Sequence, residues 1–326
     1  YDKIWVYRIP SLLGIVLSLL LIYKFLKSIY SREVALLSIF FILTSFLTIS
    51  EIHQAKTDGM LFLFITLCNL LVLKAIFDGH LSNHFKLLYW VSMAMGILVK
   101  GPIILIFTIL PLLALSIIQK RNFFNFIWTK YGFFIFFLIS VPWFVLISIK
   151  SNGLFWHESV INDLFNKVRS GQESHGFVPG YYTLLIFLFF WPGSIFIPSF
   201  FINLKIKFKE YFIKNNLNCF LILYFLLPFV LYEVIPTKLP HYIFPSYVAL
   251  SILISKEIIS SNFKSSLLKY AFLPTVIFPL TIMSVITFAI YEYSSFDTFF
   301  FLIILSFLSF LFLLIFFLKK KKIKNF

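Results

Sequence analysis

Apolar residues run in long unbroken blocks along this chain, and the polar residues are confined to short clusters between them. The blocks follow neither the alternation of a half-buried strand nor the one-sided stripe of a surface helix. A helix that is apolar all round lies in a large core or in a bilayer, and a span needs about 18 or more such residues. The pattern predicts helices at 9–28, 33–50, 59–77, 87–99, 102–119, 131–149, 180–203, 217–236, 240–256, 269–291 and 298–318. "LVKGP" separates the fourth from the fifth, because Gly101 permits a tight turn and Pro102 suits a first helical turn. Only the connection from 150 to 182 is long. There Phe155, Trp156, Val160, Leu164 and Phe165 recur at near-helical spacing, which predicts an amphipathic helix in the interface. The expected fold is all-α: a polytopic bundle of about eleven spans in one transmembrane domain, 1–326.

Composition excludes the soluble alternative. The chain is 60% hydrophobic and 13% charged, with 46 phenylalanines among 326 residues. A soluble domain carries about 25% charged residues, and this chain could not cover its own surface. The net charge of +15 then has a topological meaning. Connections after the odd-numbered spans hold 19 of the 28 Lys and Arg, and the opposite side holds 8. The positive-inside rule makes the first set cytoplasmic, including the basic tail 319–326. Anionic lipid headgroups suffice as partners for that charge, and no nucleic acid is required. Cys68 and Cys219 lie inside apolar blocks as small buried residues, and no metal-ligand spacing such as C-x-x-C occurs.

The polar clusters of chemical interest fall on the other, extracytoplasmic side. "EIHQAKTDGMLFLF" brings Glu51, His53, Lys56 and Asp58 to the start of the third span. Helix capping accounts for an Asp there but not for its companions. "GILVKGP" places Lys100 between two apolar helices, either as a turn lysine reaching the headgroups or as a cation for a phosphate. The loop 150–180 carries Lys167, Arg169 and His175, either as a solvated lid or as part of a site. "PTKLPHYIFP" sets Lys238, His241 and Tyr242 among three prolines, either as a helix junction or as a binding element. Together they place one carboxylate and several cations at the mouths of different helices, as a cavity at the membrane interface requires.

Taken in order, "AKTDGMLFLF", "GILVKGP", "ESHGFVPGYY", "FFWPG" and "TKLPHYIFP" resemble the family that contains bacterial 4-amino-4-deoxy-L-arabinose lipid A transferase. Dolichyl-phosphate-mannose protein mannosyltransferases are its more distant relatives. All are membrane glycosyltransferases of the GT-C type. The resemblance covers roughly residues 1 to 255 and implies transfer of a sugar from a polyprenyl-phosphate donor to a lipid or protein acceptor. It implies Asp58 as the acid–base or acceptor-binding carboxylate. Lys100, with Lys56 nearby, is the cavity lysine; Lys167 or Arg169 is a loop cation; His175 is the loop histidine. Tyr242 is a phosphate contact beside Lys238 and His241. A divalent metal is allowed and not demanded.

The resemblance also implies a segment preceding residue 1, with a first span and an outer loop bearing another acidic residue. "YDKIWVYRIPSLL" matches the family's stretch just after that loop. An inactive remnant of a transferase is therefore one alternative. A transporter or lipid flippase is another, although the internal repeats common in transporters are not seen. The expected location is the bacterial inner membrane, with the site facing the periplasm.

Overall fold

The computed structural model describes residues 3–169 and 176–260. The helices expected at 269–291 and 298–318, the tail 319–326 and His175 lie outside the described residues. Seven helices come first: α1 (Ile4–Ile29), α2 (Arg32–Leu43), α3 (Phe46–Ile52), α4 (Asp58–Asp78), α5 (Asn83–Lys100), α6 (Ile103–Ile118) and α7 (Lys130–Lys150). The long connection holds α8 (Leu154–Trp156), a π-helical stretch His157–Phe165 and α9 (Asn166–Arg169). Then come α10 (Tyr181–Phe189), α11 (Ile197–Ile206), α12 (Asn216–Val234) and, after a 3-10 turn at Pro240–Ser246, α13 (Tyr247–Ile259).

Among the described residues five helical segments are long and apolar enough to cross a membrane, and seven are if each bent pair counts as one. The chain is a multi-pass membrane protein. Two expected straight spans are bent. The block 33–50 turns by 64° between α2 and α3. Thr44 Oγ1 donates back to the Phe40 carbonyl at 2.6 Å, and Ser45 restarts the chain by accepting from Thr48 N–H at 3.3 Å. The block 180–203 folds back by 118° between α10 and the turn that opens α11. Pro192 stands at that corner and has no N–H to continue α10. The break at 100–102 is as expected: Gly101 sits at φ +68°, and α6 starts just past Pro102.

α4 is the central helix and α1 lies directly against it. The closest point is glycine on glycine. A Cβ on Gly14 would overlap the Gly59 carbonyl, and one on Gly59 would overlap the backbone of Ser11. Backbones that meet this closely gain dispersion where apolar burial drives nothing, since lipid is as apolar as a side chain. Gly14→Ala should therefore lower the thermal midpoint, by an amount equivalent to about 1–3 kcal/mol of overpacking. An unchanged midpoint in a detergent melt would show that the α1–α4 spacing is not a constraint. Deeper in the bundle, Asn69 donates to the carbonyls of Ile65 and Phe107, both at 3.1 Å, and so fastens α4 to α6. Phe62 of α4 stacks on Phe244 at 4.3 Å, which seats the 3-10 turn against the first turns of α4.

Candidate functional site

Four chain segments converge at one end of the bundle: the start of α4, the end of α5, the end of α12 and the turn Pro240–Ser246. Asp58 is in the first turn of α4 and is 8% exposed. Oδ1 accepts from Lys100 Nζ at 2.5 Å, and Oδ2 lies 3.9 Å from His241 Nε2. The carboxylate thus sits between an ammonium and an imidazole. Lys100 reaches it because α5 ends in the tight Gly101–Pro102 turn, with the lysine in its last helical position. His241 reaches it because Pro240 begins a 3-10 turn directly over α4.

Two cavities open beside this trio. A small one is bounded by Asp58, Lys100, Phe107, Tyr232, His241 and Tyr242. A larger one has a volume of about 650 Å³. Its walls are Ile97, Ile103, Ile106, Trp143, Phe144, Phe155, Trp156 and Val160, and its cations are Lys100 and Lys167. Lys100, Ile103, Tyr232 and Tyr242 line both, so the two spaces share a wall. A mostly apolar chamber whose lining includes two lysines and a tyrosine suits a ligand with a hydrocarbon body and an anionic head. The interfacial segment forms its outer wall: Trp156 stacks on Phe144 at 5.5 Å and donates from Nε1 to Ser148 Oγ at 2.6 Å. The expected amphipathic segment is a short α-turn followed by a π-helical stretch; its Phe155, Trp156 and Val160 line the cavity, whereas Phe165 is exposed.

The sequence-predicted residues divide accordingly. Asp58, Lys100, Lys167, His241 and Tyr242 surround the two cavities. Lys56 is exposed on the turn before α4, and Arg169 is exposed on α9. Lys167 is therefore the better placed of the two alternative loop cations. Lys238, expected beside the ligand, is placed elsewhere. It is 1% exposed, and its ammonium donates to the carbonyls of Tyr232 (3.2 Å), Glu233 (2.7 Å) and Ile235 (2.5 Å) at the end of α12. Burial holds that ammonium below the usual lysine range, opposed by the nearby Glu233 carboxylate. Among the described residues no three His, Cys, Asp or Glu side chains gather to hold a metal ion.

Sequence reading missed Tyr232 and Thr237 as wall residues and Glu233 as a neighbour of the wall. The only signal was their position in "YEVIPTKLP", just upstream of the motif that drew attention. Glu51 was noted but not assigned. It is 2% exposed at the end of α3, and its Oε2 takes part in no hydrogen bond among the described residues. The charges acting on it are those of Lys56, Asp58 and Lys100.

Solved structures share this helical fold. ArnT from Cupriavidus metallidurans bound to undecaprenyl phosphate superimposes with a TM-score of 0.69 at 16% identity, over 90% of this chain and 52% of that one. The apo form of the same protein gives 0.64, over 86% and 49%. A family profile described as dolichyl-phosphate-mannose-protein mannosyltransferase matches residues 1–145. Undecaprenyl phosphate-alpha-4-amino-4-deoxy-L-arabinose arabinosyl transferase 1 of Pseudomonas fluorescens is 25% identical over 261 residues, 77% of this chain and 45% of that protein. The second such transferase of Proteus mirabilis is 26% identical over 254 residues, 76% and 44%. The chain is similar to these transferases over about three quarters of its own length, and it spans less than half the length of the curated relatives it matches.

Proposed function

We propose that the protein takes part in transfer of a sugar from a polyprenyl-phosphate donor to an acceptor at the periplasmic face of the bacterial inner membrane. The observation that carries this reading is the 650 Å³ cavity, walled mostly by apolar side chains and lined also by Lys167, Tyr242 and Lys100, which is paired with Asp58. A prenyl chain fits such walls, and its phosphate fits such cations. The orientation rests on the cytoplasmic excess of Lys and Arg, which leaves the Asp58 end outside.

In the reaction an acceptor hydroxyl oxygen forms a bond to the anomeric carbon. The bond from that carbon to the phosphate oxygen breaks, and polyprenyl phosphate leaves with the electron pair. The acceptor proton passes to Asp58. Lys100, Lys167 and Tyr242 stabilise the charge that grows on the departing phosphate. Lys100 starts paired with Asp58, so its move to the phosphate would free a carboxylate oxygen for the acceptor. The acceptor is lipid A, another envelope glycan or a protein hydroxyl.

The test is transfer itself. Full-length protein in proteoliposomes, given undecaprenyl phosphate bearing a radiolabelled sugar, should move the label to an acceptor in an envelope extract. Label that crosses the bilayer as unchanged donor would replace this reading with a flippase, and label that stays on the lipid without crossing would replace it with an inactive remnant.

A further inference from the structure

The stretch from Tyr232 to Tyr242 has two faces. On one, Tyr232, Thr237 and Tyr242 line the large cavity. On the other, it is fastened to residues 176–183, where the long connection re-enters the bundle. The carboxylate of Glu233 accepts from Tyr182 N–H at 3.1 Å, Thr183 N–H at 3.0 Å and Thr183 Oγ1 at 2.7 Å. α10 begins after Gly180, which has no side chain to cap it. Two free N–H groups of its first turn therefore go to an acid about fifty residues away in the chain. The Tyr182 hydroxyl donates to the Leu239 carbonyl at 3.0 Å, and Phe177 N–H donates to the Pro236 carbonyl at 3.1 Å. Gly176 and Thr237 form an antiparallel bridge.

Lys238 completes the far face. An ammonium has three hydrogens, and here three carbonyls of Tyr232, Glu233 and Ile235 receive them. It has no donor left for a ligand. Its role is to close the C-terminal end of α12, whose exposed carbonyls attract a cation. Two charged side chains are thus committed on the side of the strap away from the cavity. A satisfied polar network of this kind rigidifies what it joins. It joins the cavity-lining stretch Tyr232–Tyr242 to residues 176–183.

We propose that Glu233 and Lys238 are positioning residues: they hold the 232–242 strap against the re-entering connection and so set Tyr232, Thr237 and Tyr242 at the depth a lipid phosphate requires. This role rests on the polyprenyl-phosphate reading above. Pre-organised walls bind more tightly because less ordering remains to be done on binding. Neither residue needs to touch the ligand.

Three measurements on the full-length protein in nanodiscs test it. Undecaprenyl phosphate is titrated while the fluorescence of Trp143 and Trp156 in the cavity wall is followed. Amide hydrogen exchange is read at Phe177, which Glu233 does not touch, and at Tyr182 and Thr183. Thermal unfolding is recorded alongside. Glu233→Ala should speed exchange at Phe177 and weaken binding about tenfold. Glu233→Gln keeps one acceptor oxygen and should recover most of the affinity. Lys238→Met should act in the same direction as Glu233→Ala. Should Glu233→Ala fail to fold, Thr183→Val removes one hydroxyl donor and should show a smaller effect of the same sign. Affinity equal to the unmodified protein, or unchanged exchange at Phe177, would overturn the proposal. If the unmodified protein binds no undecaprenyl phosphate, the lipid-phosphate reading fails, and exchange at Phe177 alone decides whether Glu233 holds the strap.

Discussion

Asp58→Asn should reduce sugar transfer by about 10²–10⁴-fold, the range in which a positioned proton acceptor contributes to a reaction. The substitution is nearly isosteric. The amide oxygen can still accept from Lys100, so the contact between α4 and α5 survives and the fold is retained. What is lost is the ability to take a proton from the acceptor. Binding of undecaprenyl phosphate should be equal or tighter, since Lys100 is no longer held by a full negative charge. Initial rates with labelled donor, set beside the affinity, separate these effects. Near-normal turnover in this variant would remove Asp58 from the chemistry and leave it a structural ion-pair partner.

Lys100→Met should have the second largest effect, and it should act on both stability and binding. The methionine keeps the length of the side chain and removes the charge. Asp58 is then a buried carboxylate whose nearest remaining partner among the described residues is His241, 3.9 Å away. Breaking a buried pair from one side leaves an uncompensated charge and costs about 3 kcal/mol, taken low because Lys100 is partly open to the cavity. Phosphate affinity should fall about tenfold or more, the loss of one charge-assisted contact. The double variant Asp58→Asn/Lys100→Met decides how these add. Without the buried charge its stability should return close to the unmodified value, while binding stays weak. Recovery of both would mean that Lys100 serves Asp58 alone and does not meet the ligand.

These predictions use residues that sequence reading had already singled out, and the reason is chemical. In a chain with 13% charged residues, a charge at the end of an apolar block is a conspicuous cost, so Asp58 and Lys100 stood out singly. Their mutual distance did not, because they lie 42 positions apart and their meeting depends on how α4 and α5 pack. The partners of Lys238 were not legible for a related reason. "TKLPHY" marks a polar turn, but nothing in the motif says whether the lysine points to the cavity or back along α12. Glu233 escaped notice because its partners, Tyr182 and Thr183, are backbone and hydroxyl groups with no distinctive sequence spacing. The bends at Thr44–Ser45 and at Pro192 were hidden by apolar blocks that continue straight through them.

Taken alone, the amino-acid sequence determined that this is a helical membrane protein and where most of its described spans lie. Those properties come from local composition, because every backbone polar group inside a bilayer must be satisfied within its own helix. Tertiary structure decided which charges meet: Asp58 with Lys100 and His241, Lys238 with the carbonyls of α12, and Glu233 with the start of α10. Such pairings depend on helix bends and on glycine contacts such as Gly14 on Gly59. They are set by the packing of whole helices, and no short window of sequence contains it.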